Sequence, residues 1–369
     1  RNPPFSNSVG FGQQQFAGTG PDRTTFSLQT GPPDVPQVDP NTLPSFIGVF
    51  AVDPQQRTTY VHQYQLSLQW QFARDYSLDI GYVGNRSRNL LYARDISTSG
   101  SAEARNRAGQ FLTNAVLYTN GAKSWYDGMQ VQLQKRFSQN VGGQVSYTWS
   151  HTIDNSTGIF NGLGEQRGSR GGPINPLDPL SDRGNSSLDV RHLLSANAII
   201  ALPFGRGQRF FNRGGAVDKL FGGFQLNFIV YARTGYPYSV AANEIVRPSL
   251  IGDPFANVPP GRLLNPAAFT TDRRFLRSVT NAAGTTIFFG NVGRNTFRGP
   301  AIYTADMSVF KNTLLSEKVK LQIGMEFFNL FNHANYTVPQ NNVNNDDFGI
   351  IRFNAQSGRV IQYRAKLLF

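Results

Sequence analysis

The sequence predicts an all-β protein, an antiparallel transmembrane β-barrel, on three observations. Apolar and polar residues alternate with a period of two along stretches of about ten residues. Short turns and long polar loops take turns in joining those stretches, and the last stretch stops on an aromatic residue. Successive side chains of a strand point to opposite faces, so the alternation means one dry face and one wet face.

Residues 1–58 hold Pro, Gly, Asn and Asp at densities that break both helix and strand, as in "GPPDVPQVDPNTLPS". They read as an extracellular-loop-like segment with one short strand at Phe46 to Ala51. Residues 59–369 read as barrel. In "YVHQYQLSLQWQF", Tyr60, Tyr64, Leu66, Leu68, Trp70 and Phe72 oppose Gln63, Gln65, Ser67, Gln69 and Gln71. A turn at Arg74 and Asp75 leads to Leu78, Ile80 and Tyr82, with Ser77, Asp79 and Gly81 opposite, which completes a hairpin. The unit recurs in "GMQVQLQKRF", where Gln130, Gln132 and Gln134 alternate with Met129, Val131 and Leu133. After a tight turn at Ser138 to Asn140, Gln144, Ser146 and Thr148 alternate with Val145, Tyr147 and Trp149.

A polar loop from Asp154 to about Ser187 precedes the pair "HLLSANAIIAL" and "FQLNFIVYAR", whose connection holds one helical turn at Ala216 to Phe221. A second long loop fills Ala242 to Pro300. Then "IYTADMSVFK" and "VKLQIGMEFFNLFN" form a hairpin around Ser316 to Lys318, and "QNNVNNDDFG" leads into the terminal strand "RVIQYRAKLLF". The reading gives nine or ten strands, roughly, with four short turns at one end and the long loops at the other.

Of the 369 residues only 16% are charged while aromatics reach 12%, a balance that suits strands and turns better than helices. No apolar run reaches the eighteen or so residues of a spanning helix; even "LLSANAIIALPFG" is broken by Asn197 and Pro203. Cysteine is absent, which removes disulfides, thiolate metal sites and a Cys nucleophile. The net charge of +12 is spread singly along the chain without a basic stripe, so no nucleic-acid partner is expected.

A soluble β-sandwich or a β-solenoid would show the same alternation. Segregated loop lengths and aromatics at the ends of the dry faces favour lipid. A strand of ten residues, at about 3.3 Å each and tilted about 40°, spans the ~25 Å apolar band of an outer-membrane barrel. The terminal strand adds weight: Ile361, Tyr363, Ala365, Leu367 and Phe369 alternate with Gln362, Arg364 and Lys366. It resembles the signal by which the barrel-assembly machinery recognises its clients, with Tyr363, Leu367 and Phe369 as its apolar members. A periplasmic C-terminus then makes every short turn periplasmic and every long loop extracellular.

The stretch "GNVGRNTFRGPAIYTADMSVFKN", followed by "KLQIGMEFFNLFNHANY", resembles the C-terminal barrel of TonB-dependent outer-membrane receptors of the Oar-like kind, which usually carry a carboxypeptidase-regulatory-like domain. Gly290, Gly293, Arg294, Asn295, Arg298, Gly299, Pro300, Asp306, Lys311, Glu326, Phe328, Asn329, Phe331, Asn332 and His333 carry the match. "VDPQQRTTYVHQYQLSLQ", "SSLDVRHLLSANAIIALPFGRG" and "GGFQLNFIVYARTGYPYSV" extend it from about Asn2 to Phe369. The resemblance implies a barrel of about twenty-two strands around a plug, bacterial outer-membrane localisation, energised uptake of a siderophore, glycan or peptide, and the TonB complex as a partner. Against that plan the chain reads as a C-terminal fragment that does not transport alone, its first strand near Tyr60 left as an unpaired edge. A structural or adhesive barrel that displays loops and moves nothing is the alternative.

The expected lumen-lining residues are Gln63, Gln65, Gln69, Gln130, Gln132, Gln144, Asp306, Lys320, Gln322, Glu326, Arg364 and Lys366. Glu326 should either pair with a lumenal cation, Lys311 or Arg364, or stand as a solvated lumen carboxylate. His62, His151, His192 and His333 are too dispersed for ligand spacing, and Asp189, Arg191 and His192 read as a strand start that orients a loop. No G-x-S-x-G or other nucleophile motif is present, so neither an enzyme nor a resident metal or cofactor is expected. Asn341, Asn342, Asn344, Asn345, Asp346 and Asp347 lack the spacing and central Gly of an EF-hand and read as a polar turn.

Overall fold

The computed structural model describes residues 48–96, 114–156, 174–175, 177–178, 180, 182–242, 247–316 and 319–369. Most of segment 1–58, much of the loop expected from Asp154 to Ser187, and Glu317 and Lys318 lie outside the described residues.

Strands are β1 (Gly48–Val52), β2 (Tyr60–Ala73), β3 (Tyr76–Asp95), β4 (Asn114–Ser138), β5 (Val141–Asp154), β6 (Gly184–Asn185), β7 (His192–Ala201) and β8 (Phe224–Arg233). They continue with β9 (Pro237–Tyr238), β10 (Ser249–Leu250), β11 (Phe269–Thr270), β12 (Arg277–Thr280), β13 (Thr286–Phe289), β14 (Phe297–Arg298), β15 (Ile302–Leu314), β16 (Lys320–Phe328) and β17 (Val360–Leu368). One short helix, α1 (Ala216–Phe221), occupies the predicted helical turn. Among the described residues no helix is long and apolar enough to cross a membrane.

Nine long strands pair in the order β2-β3-β4-β5-β7-β8-β15-β16-β17, each antiparallel to the next, in one open sheet. The register aligns the two faces from strand to strand. One row runs Trp70–Leu78–Leu133–Val145–Ala196–Val230–Ala305, and another runs Val141–Ile200–Leu226–Val309–Met325–Tyr363. On the opposite face one row runs Gln69–Asp79–Gln132–Ser146–Ser195–Tyr231–Thr304. A one-residue slip in any strand would mix the two, so the apolar pattern holds the register.

No described layer covers the apolar face: Leu66 is 76% exposed, Leu68 68% and Tyr363 75%. Leu264, Val240, Phe348 and the other members of the buried apolar cluster lie in the loops, not beneath the sheet. That arrangement is the reverse of a sandwich, where the inner faces of two sheets bury each other.

Three expectations need correction. Strand lengths are not near ten throughout: β3 has 20 residues and β4 has 25, because their ladder survives bulges around Leu90 and continues to Asp95 opposite Val116. Asn89 adopts φ 53 there, a conformation Asn tolerates. The sheet is not wholly antiparallel, since β1 runs parallel to Asn114–Tyr118 of β4. The connection between β7 and β8 is no short turn, although it lies at the same end as Arg74–Asp75 and Gln139–Asn140; it spans residues 202–223.

Gln139 and Asn140 both take positive φ, 49° and 69°, the two-residue turn whose twist matches flanking strands. Both Asn140→Ala and Asn140→Gly lose the side chain, but only Ala is strained at positive φ, so Asn140→Ala should be about 1 kcal/mol less stable than Asn140→Gly, read from denaturant unfolding of the refolded chain in micelles.

Candidate functional site

All twelve expected lumen residues fall on the polar face by register. Gln63, Gln65 and Gln69 of β2 oppose Asn85, Val83 and Asp79 of β3. Gln130, Gln132 and Gln144 continue across β4 and β5. At the far edge Gln322 lies between Asn312 and Lys366, Glu326 between Ser308 and Gln362, and Arg364 opposite Gly324. Lys320 keeps the same parity, and the Asp306 carboxylate accepts the Asn329 backbone N–H at 2.8 Å. The face is not uniformly polar, for Ile199 and Ile229 also project from it and are exposed. Tyr363 and Leu367 lie on the apolar face with Phe369 just beyond β17, all three exposed.

Arg364 answers Glu326, with 3.5 Å between Nη1 and Oε1, while Arg364 Nη2 donates to Gln322 Oε1 at 3.0 Å. Its guanidinium lies 4.7 Å from the Phe310 ring centre. That ring occupies the space left by Gly324, where a Cβ would come within 2.3 Å of it. Lys311, the other expected partner, has the parity of the apolar face, opposite Ile323; it lies over Phe224 and donates to the Gly222 carbonyl. A long aliphatic stem on the greasy side reaching a backbone acceptor at the rim is snorkelling.

Above one end of the sheet the long loops form an assembly with a core of its own. Tyr238, Val240, Leu264, Ala268, Phe269, Val292, Phe297 and Phe348 are buried together. Phe297 packs against Tyr238, Phe255 and Phe269 at ring separations of 6.0, 6.1 and 5.8 Å. β14 pairs with β9, which seats Phe297 beside Tyr238. Burial pushes the Tyr238 hydroxyl well above the usual phenol range. On the exposed side the Arg274 side chain, aided by the Arg274 backbone N–H, holds Asp272 down to about 2.

Ion pairs fasten this assembly to the end of β5 and to the segments flanking β6. Arg294 pairs with Asp154 at the end of β5, Arg298 with Asp189, and Arg247 with Asp182. Asp189 is fully buried; its Oδ1 also accepts the Thr152 backbone N–H at 2.6 Å, and Arg191 approaches at 3.6 Å. Asn295 exchanges hydrogen bonds with Asn185 in both directions, at 2.8 and 3.0 Å, and its N–H donates to Ser239 Oγ. Gly290 is required by close approach, since a Cβ would stand 1.9 Å from the Pro248 carbonyl oxygen. The stretch after β16 works likewise: Asn335 brackets the Tyr303 backbone, accepting at 2.9 Å and donating at 3.0 Å, and His333 stacks on the Tyr303 ring at 3.6 Å. Gly290, Arg294, Asn295, Arg298 and His333, among the residues that carried the family resemblance, are therefore fasteners, and sequence alone did not reveal which partners they hold.

A cleft of about 570 Å³ opens where β6 meets the loop, lined by Ile153, Arg183, Asn185, Gly293, Arg294 and Thr296. Arg183 stacks over Trp125 at 4.9 Å, and His151 shares a 3.0 Å hydrogen bond with Asn185. His192 opens β7, where its Nδ1 shares a 2.7 Å hydrogen bond with Tyr147 Oη. Asn341 belongs to the loop packing, donating to the Ser239 carbonyl at 2.7 Å. Among the described residues no cluster of three or more His, Asp or Glu could hold a metal ion.

Removing Arg298 would leave the buried Asp189 carboxylate with only the Thr152 N–H and the more distant Arg191. Arg298→Met should loosen the loop assembly by about 3 kcal/mol, seen as faster amide exchange across β9 and β14 with the β4–β5 ladder unchanged. Pairing it with Asp189→Asn should restore much of that loss.

No curated protein matches the chain. Among solved structures it is similar to the pyoverdine outer membrane receptor FpvA of Pseudomonas aeruginosa PAO1, at 10% identity and TM-score 0.41, over 84% of this chain and 30% of that one. It is similar also to the outer membrane transporter YddB of Escherichia coli, at 8% identity and TM-score 0.44, over 85% and 33%. The FrpB iron transporter of Neisseria meningitidis gives 10% identity and TM-score 0.42, over 87% and 33%. The chain thus spans about a third of the length of each. The model of the outer membrane beta barrel domain matches residues 1–362, and with an all-β, antiparallel, two-faced sheet the chain belongs to that family.

Proposed function

We propose that this outer-membrane β-barrel domain forms part of the wall of an Oar-like, TonB-dependent receptor that takes up a ligand through its lumen. Its place is the bacterial outer membrane. The observation that carries the reading is the predominantly polar face that runs across nine strands, ending under a loop assembly fastened by Arg294–Asp154 and Arg298–Asp189. A wet wall beneath an ordered roof suits passage and selection of a solute better than plain anchorage.

In this reading the apolar rows contact lipid, Tyr363, Leu367 and Phe369 present the terminal strand to the barrel-assembly machinery, and TonB acts through a plug. Both β2 and β17 are free edges among the described residues, and in this reading further strands close the wall. Twenty-two strands is the size the family resemblance implies. The domain has no catalytic role in this account, and the ligand is a small solute of the siderophore, glycan or peptide class.

Two measurements test the reading. In lipid vesicles Leu133→Arg, in the apolar row, should cost about 2–4 kcal/mol of unfolding free energy, whereas Gln132→Arg should cost little. In cells carrying the whole receptor, accumulation of its ligand should stop when TonB is deleted; accumulation that persists without TonB, or no accumulation of any candidate ligand, leaves the display barrel as the better reading.

A further inference from the structure

Three of the connections at the end opposite the loop assembly are brief, and one is not. Residues 202–223 between β7 and β8 fold back on themselves. Phe204 and Phe210 bridge, the Phe210 N–H donates to the Pro203 carbonyl at 3.0 Å, and the Gly205 N–H donates to the Phe210 carbonyl at 3.0 Å. The Arg206 backbone N–H donates to Asp218 Oδ1 at 2.7 Å, which ties the first half to α1. Asn140 Nδ2 donates to Gln208 Oε1 at 2.7 Å, which ties the whole to the neighbouring β4–β5 turn. This is a shaped foot.

Its composition is divided. Phe204 packs on Phe210 and Phe211 at 6.0 and 5.7 Å, and Phe211 stacks on Phe221 at 5.3 Å. Yet Phe210, Phe211, Leu220 and Phe221 all remain exposed, Leu220 by 66%. Around them stand Arg206, Arg209, Arg213 and Lys219, all exposed, against one carboxylate, Asp218, already engaged by backbone. The alternation of β7 carries Ile200 into Leu202 and Phe204, and Leu202 N–H still pairs with the Phe224 carbonyl, so the cluster continues the apolar face of the sheet.

An aromatic cluster at the edge of a lipid-facing band lies at headgroup depth, and exposed cations there attract anionic lipid. We propose that residues 202–223 form a lipid-binding foot that seats on the periplasmic leaflet of the outer membrane and holds an anionic glycerophospholipid by its phosphate. Phe210, Phe211, Leu220 and Phe221 enter the interface, and Arg206, Arg209 and Arg213 take the headgroup. The inference rests on the reading that the apolar rows meet lipid.

The chain has no cysteine, so single nitroxides report cleanly. The full chain is reconstituted in phosphatidylethanolamine bilayers with and without phosphatidylglycerol, labelled at Leu220→Cys or, mid-band, at Leu68→Cys. Phosphatidylglycerol retained after micelle exchange is counted by native mass spectrometry. The Leu220 label should lie at headgroup depth and the Leu68 label in hydrocarbon. Arg206→Gln/Arg209→Gln/Arg213→Gln should retain about tenfold less phosphatidylglycerol. The same charge change in the outer loops, Arg273→Gln/Arg274→Gln/Arg277→Gln, should leave retention unchanged. A Leu220 label in water with Leu68 in hydrocarbon, or undiminished retention in the first triple variant, overturns the foot alone and assigns the surface to a periplasmic protein. Both labels in water overturn the lipid reading itself.

Discussion

The constraint beneath this structure is that hydrocarbon offers no partner to a backbone N–H or C=O. A chain that enters it with strands must satisfy those groups strand to strand and turn one side-chain face greasy across the hydrocarbon. Eight consecutive antiparallel pairings among nine strands do this, and the residues at the odd positions of β4, Met129, Val131 and Leu133, align with their counterparts on β3 and β5. Everything else is built from the ends of that ladder. The polar face follows automatically, because a period of two leaves glutamines wherever the apolar residues are not.

The loops obey a different rule. They stand in water and pack as a small protein does, around Phe297, Phe269 and Phe348, with charged groups used as fixed joints. A buried carboxylate such as Asp189 is tolerable because it receives both a guanidinium and a backbone N–H. The value of such pairs lies in position more than in net stability: Arg294 and Arg298 can be satisfied at one docking of the loop only. In the proposed receptor, an ordered roof over a polar wall would give the lumen a defined entrance.

Much of the sheet was legible in the sequence, since its determinants are local. The alternation placed Gln63 and Gln132 on one face and Leu68 and Val131 on the other, and the tight turn at Ser138 to Asn140 and the helical turn at Ala216 to Phe221 stood where expected. The loop assembly was not legible. Arg294 finds Asp154, 140 positions away, and neither residue has a neighbour in sequence that advertises the other. The extra length of β3 and β4 was hidden for a similar reason: bulges near Leu90 and Gly121 break the period while the hydrogen-bonded ladder continues. Lys311 was misplaced as a lumen cation because its charge outweighed its parity, and parity was the better guide.

The central claim is that the greasy rows face lipid and the glutamine rows face water. Its most direct measurement is a nitroxide scan through Met129 to Gln134 in bilayers, comparing accessibility to dissolved oxygen with accessibility to a water-soluble nickel complex. The account predicts strict alternation, with labels at Met129, Val131 and Leu133 favouring oxygen and those at Gln130, Gln132 and Gln134 favouring nickel. Equal nickel accessibility at all six positions, or burial of both sets from both reagents, would contradict it.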